Sequence, residues 1–144
     1  MAKDSRFRRM TPEDFAAFCA SATVNEIQDA FKAGVEWDAR AFISAAASNT
    51  DPRVIWLILK QAREAGINII NARSKESRQT ALHWAAGHND NPDITRALIA
   101  AGANVNLKDN YGVTPLGEAE AVLRVGWKEG RQEVIEMLKK AGAR

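Results

Sequence analysis

The chain has 144 residues, 46% of them apolar and 26% charged, which predicts one soluble domain. Lys and Arg total 20 against 18 Asp and Glu, so a net charge of +2 argues against nucleic-acid binding through bulk charge. A single cysteine, Cys19, excludes an intramolecular disulfide and a thiolate zinc cage. No apolar run approaches the ~20 residues that cross a bilayer, and residues 1–20 lack the apolar core of a secretory signal. A cytoplasmic protein is the expectation.

Residues 1–10 form a basic arm, with Lys3, Arg6, Arg8 and Arg9 against Asp4, expected to be solvated. Four prolines then follow good capping residues: Thr11-Pro12, Asp51-Pro52, Asn91-Pro92 and Thr114-Pro115. Proline suits the first helical position, where its missing N–H is not needed. The residue before it caps exposed N–H groups with a side-chain oxygen. Helices are predicted to start near 12, 52, 92 and 115. Thr11 with Asp14 and Thr23 with Glu26 resemble capping boxes. Gly34, Gly66, Gly102 and Gly142 each follow Ala at the end of an apolar stretch, as left-handed helix stops do.

Those glycines are 32, 36 and 40 residues apart, a period that means a stacked repeat. Ala16-Ala17, Ala45-Ala46, Ala85-Ala86 and Ala119 recur between them and suit closely approaching helices. Each unit therefore pairs a short alanine-faced helix with a second, apolar helix ending in Ala-Gly. The run Val54–Leu59 is apolar nearly all round, so neighbours on both sides are expected, with Trp56 in the core.

Thr80-Ala81-Leu82-His83-Trp84-Ala85-Ala86 resembles the ankyrin-repeat signature Thr-Pro-Leu-His-x-Ala-Ala. The segment from Gly102 to Leu116, including Asp109-Asn110-Tyr111-Gly112 and Thr114-Pro115-Leu116, resembles the ankyrin inter-repeat segment. The likeness covers about residues 11–143 and is close in the third and fourth units. Unit one places Glu13 and Asp14 where Leu and His are usual, unit two lacks Thr, Pro and His, and unit four has Gly117 in place of His. The resemblance implies an all-α repeat solenoid of four helix–turn–helix units, about 11–37, 38–72, 73–106 and 107–144, with short β-hairpin fingers before units three and four. Charged Glu13, Asp14 and Lys139 at the two ends are what a capped array needs.

The chemistry-bearing residues point to structure rather than catalysis. His83 and His88 are five apart and do not share a helix face, and no third ligand accompanies them. The resemblance implies a hydrogen-bonding role for His83 inside its repeat. Cys19 lies in an apolar stretch and reads as a buried thiol. No phosphate-binding glycine loop occurs. The expectation is no enzyme, cofactor or metal.

The function implied by the resemblance is protein binding through the concave face and fingers of a monomer, without nucleic acid or membrane. The candidate surface is Arg73, Lys75, Glu76, Arg78, Trp84, His88, Lys108, Asn110 and Tyr111, which mixes aromatic anchors with charge. The alternative is a dedicated regulatory subunit or inhibitor of one enzyme. Trp37 is expected to cover the short junction after Gly34, and Trp127 to pin or expose the loop near Arg124–Gly130.

Overall fold

The computed structural model describes residues 5–126 and 130–144. A 3₁₀ turn, Ser5–Phe7, precedes eight α-helices among the described residues: α1 Pro12–Cys19, α2 Val24–Lys32, α3 Ala39–Ser48, α4 Pro52–Glu64, α5 Ala81–His88, α6 Pro92–Ala100, α7 Pro115–Arg124 and α8 Arg131–Lys140. Proline opens α1, α4, α6 and α7, and a side-chain oxygen of the preceding residue accepts a backbone N–H at each. Thr11–Asp14 and Thr23–Glu26 form full capping boxes, with both bonds of each box near 3 Å.

The even helices all stop the same way. Gly34, Gly66, Gly102 and Gly142 have φ between 76° and 99°, a region glycine enters without a Cβ clash. The next residue then reaches back to close each helix end: Val35 to Ala30, Ile67 to Ala62, Ala103 to Leu98 and Ala143 to Leu138, at 2.8–3.2 Å.

Odd helices stack as one layer, α1 on α3 on α5 on α7, and even helices as a second, α2 on α4 on α6 on α8. One buried cluster runs between the layers. Phe15, Phe42, Leu82 and Leu116 supply the bulk from the odd layer. Ala45, Ala46, Ala85, Ala86 and Ala119 are buried where the odd helices meet, so small side chains set their close approach. Ile27, Ile55, Ile58, Ile94, Leu98, Val134 and Leu138 come from the even layer.

Buried polar bridges cross from each repeat to the one before. The Asn49 amide donates to the carbonyls of Cys19 and Ala22 at 3.0 and 2.8 Å. The Asn89 amide donates to Ala46 and Asn49 at 2.9 and 2.8 Å. In the last repeat Arg131, fully buried, takes over and donates to Ala86 at 2.9 Å and to Asp90 at 3.3 Å. Its burial lowers its pKa, opposed by the Asp90 carboxylate. Gly130 makes the approach feasible, since a Cβ there would meet the Asp90 carbonyl at 2.8 Å.

Three expectations change. No strand forms among the described residues, so the β-hairpin fingers are closed turns instead. Turn bonds shut them: Ser74 N–H donates to Gln79 and Asp109 N–H to Val113, both 2.9 Å, with Arg78 N–H to Ser74 and Gly112 N–H to Asp109 at 3.0 Å inside them. Asparagine and aspartate side chains take other finger N–H groups, such as Asn104 N–H on Asn71 and Tyr111 N–H on Asp109, both 2.8 Å, so no ladder extends. Trp56 is not core but 45% exposed, because α4 buries Val54, Ile55, Ile58 and Ala62 and turns Trp56 outward. The end of the basic arm is docked: Phe7 is buried with its ring 5.7 Å from Phe18, and Arg6 lies 3.7 Å from Glu26. Trp37 does cover the first junction, its ring 5.4 Å from Phe31. Trp127 lies outside the described residues.

Asn89→Ala orphans the Ala46 and Asn49 carbonyls and is expected to cost about 2–3 kcal/mol of stability. Lys139→Ala on the exposed face of α8 should stay within about 0.5 kcal/mol. Chemical denaturation followed by helical circular dichroism distinguishes the two.

Candidate functional site

Two fingers project beside the odd-helix layer, residues 67–80 before α5 and 103–114 before α7. The first begins at the glycine stop of α4 and ends at Thr80, the N-cap of α5. The second begins at the stop of α6 and ends at Thr114, the N-cap of α7. Each finger is thus held at both ends by a helix terminus.

His83 joins the second finger to α5. The Thr80 N–H donates to its Nδ1 at 3.1 Å. A backbone N–H can only donate, so Nδ1 is the acceptor. Nε2 lies 2.8 Å from the Val113 carbonyl, which can only accept, so the proton sits on Nε2. Both ring nitrogens are committed and the ring is buried. No general base or metal ligand is left there.

The fingers are also joined to each other. The Asn110 N–H donates to the Ser77 carbonyl at 3.0 Å, and the Asn110 amide donates to the Glu76 carbonyl. The Gln79 amide donates to Asp109 at 3.2 Å and to Glu118 of α7 at 3.1 Å. Ser74, Ser77 and Gln79 complete a chain of bonds inside the first finger. Burial pushes the Asp109 carboxyl up, but N–H groups of Val113 and Tyr111 and the Gln79 amide outweigh it, so its pKa is lowered.

The candidate residues fall into three neighbouring sets. Arg73, Lys75 and Glu76 line a groove of about 460 Å³ together with Glu13 of α1 and Asp38, Arg40 and Ile43 at the start of α3. In its wall Arg40 binds Asp38 at 2.7 Å and Glu13 at 3.0 Å. The Arg40 guanidinium is the main cause that holds the Asp38 carboxyl below its usual range. Asn110, Tyr111, Lys108 and Arg78 occupy the finger tips, all exposed. Tyr111 is 86% exposed. Arg78 is the one non-glycine with positive φ, at 61°, among the described residues. Trp84 and His88 form the third set on α5, half-buried and exposed, with ring centroids 4.8 Å apart.

Some of this was missed in the sequence. Ser74, Ser77, Gln79 and Asp109 brace the candidate residues, yet polar loop residues carry no local signal for a partner 30 positions away. Asn49 and Asn89 did carry one: each lies three residues after an Ala-Ala pair. A second exposed surface sits on the even layer, where Trp56 and Ile67 line a cleft of about 420 Å³ with Ile70 and Ala100. Cys19 is fully buried and desolvation pushes its thiol up to about 12, which suits an inert core residue. No helix among the described residues is long and apolar enough to cross a membrane.

Removing His83 tests this bracing. His83→Ala orphans the buried Thr80 N–H and removes one of the two donors on the Val113 carbonyl, and should cost about 1–3 kcal/mol, read as a lower melting temperature. A wild-type melting temperature would show that the ring does not hold the finger.

Comparison with known proteins agrees with this geometry. The family model described as "Ankyrin repeats (3 copies)" matches residues 42–144. The helix pair α1–α2 precedes that span. The Drosophila melanogaster protein described as "Tyrosine-protein kinase Shark" is 37% identical over 71 residues, 49% of this chain. The match spans only 7% of that protein's length.

Proposed function

Because the chain belongs to the ankyrin-repeat family, a family of protein-interaction modules, we propose that it binds a protein partner through the face made by its fingers and odd helices. One observation carries the reading. Asn110 ties the two fingers together at the position next to Tyr111, a large side chain left 86% exposed. An exposed aromatic on a braced support loses little conformational freedom on binding, which is the condition for affinity. Trp84 and His88 on α5 supply a second aromatic surface on the same layer. The site acts by occupying the partner's surface, as a scaffold does.

The experiment is selection of ligands from a displayed peptide and domain library, followed by affinity measurement. Tyr111→Ala combined with Arg73→Ala, one exposed and one half-buried finger residue, is expected to leave the melting temperature nearly unchanged, since surface changes away from caps and core shift stability by at most about 0.5 kcal/mol. The same pair should weaken binding by about 2 kcal/mol or more. Trp56→Ala, on the even layer, should not weaken it. If the finger variant binds normally and Trp56→Ala does not, the interaction face is the even-helix cleft.

A further inference from the structure

The charge of the chain is distributed unevenly in a way the fold makes meaningful. Fingers 67–80 and 103–114 contain four Lys or Arg and two Asp or Glu, an excess of two. Residues 1–10 contribute a further excess of three, and the whole chain is only +2, so everything else sums to −3. The fingers are therefore a basic rim on an acidic body.

The finger cations are also available. Among the described residues none of Arg73, Lys75, Arg78 and Lys108 forms an ion pair, whereas Arg40, Arg53 and Arg96 all do. Of the two finger acids, Asp109 is buried and committed to the N–H groups of Tyr111 and Val113. Glu76 is the one exposed acid among the fingers, and the groove carboxylates Glu13 and Asp38 beside Arg73 and Lys75 are bonded to Arg40. The bonds from Asn110 to Ser77 and Glu76 hold both fingers in one arrangement, so the cations are positioned before any partner arrives. Arg78 keeps its place with φ 61°, a backbone state disfavoured for any residue but glycine.

From this, and resting on the protein-binding reading above, we infer that the partner presents an acidic, extended segment of polypeptide to the finger rim, with Tyr111 packing between the charges. Charge complementarity selects such a partner and speeds its encounter. A long polyanion such as nucleic acid fits less well, because it would run off the fingers onto a body of net negative charge.

The test uses the full chain and a fluorescein-labelled peptide of twelve residues in which Glu alternates with Gly and Leu. Comparison probes replace every Glu by Gln or by Lys, and a fourth is a single-stranded DNA of twelve nucleotides. Fluorescence anisotropy should show the Glu peptide bound at least about tenfold more tightly than the Gln peptide, with the advantage lost on raising salt from about 50 to about 300 mM. Arg73→Glu with Arg78→Glu and Lys108→Glu should remove the advantage while the melting temperature holds. Arg8→Glu with Arg9→Glu, the same kind of change in the arm, should leave it. Equal affinity for Glu and Gln peptides, an equal loss in the arm variant, or tighter binding of the DNA overturns the inference. Ligands selected from the library that are neutral but still need Tyr111 would sink the acidic partner and leave the protein-binding face standing. Selected ligands that ignore Tyr111 and Arg73 would sink that face itself.

Discussion

The stack depends on how the carbonyl end of each odd helix is satisfied once the next repeat buries it. The last carbonyls of a helix have no partner inside it, and leaving them unpaired in a core costs about 1–3 kcal/mol each. Here the following repeat supplies the donor: Asn49 for the end of α1, Asn89 for the end of α3, Arg131 for the end of α5. A hydrogen bond of 2.8–3.0 Å is directional where apolar packing is not. Alanine contacts alone would let the odd helices slide along one another. The buried amides hold one register, and the alanine faces then pack at close range.

That register is what positions the proposed interaction face. The odd layer carries both fingers at its N-terminal ends, and a shift of one helix would carry its finger with it. With the layer fixed, His83 can span from the cap of α5 to Val113, and Asn110 can reach the first finger. The apolar free energy of folding is collected between the layers, well away from the tips. Tyr111, Lys75 and Arg78 are thereby left outside the folded contacts, with their side chains available to a second protein. The residues that carry stability are thus different from those proposed for recognition, although both sets rely on the same hydrogen-bonded frame.

Local chemistry was the legible part of the sequence. Proline after a capping residue and glycine after alanine act within a few residues, and the helix starts at 12, 52, 92 and 115 and the four glycine stops follow from them. His83 was legible through its motif, since its cap partner Thr80 lies three residues away. Long-range polar contacts were not. Nothing beside Arg131 announces that it will be buried against Ala86, 45 residues earlier. The hairpins failed for a related reason: Asn71, Asn104 and Asp109 offer side-chain oxygens that compete with a strand ladder for finger N–H groups. Trp56 misled because an apolar run suggests burial all round, while a two-layer stack gives an outer helix one solvent face.

Residue-resolved native-state hydrogen exchange on Arg131→Met tests the role of these buried bridges most directly. Methionine keeps much of the volume but cannot donate to the Ala86 carbonyl. If the bridge holds the last repeat in register, amides of α7 and α8 should lose protection by about 1 kcal/mol or more, while those of α3 keep theirs. Wild-type protection throughout α7 and α8 would contradict the account, and would mean that apolar packing alone sets the register of the stack.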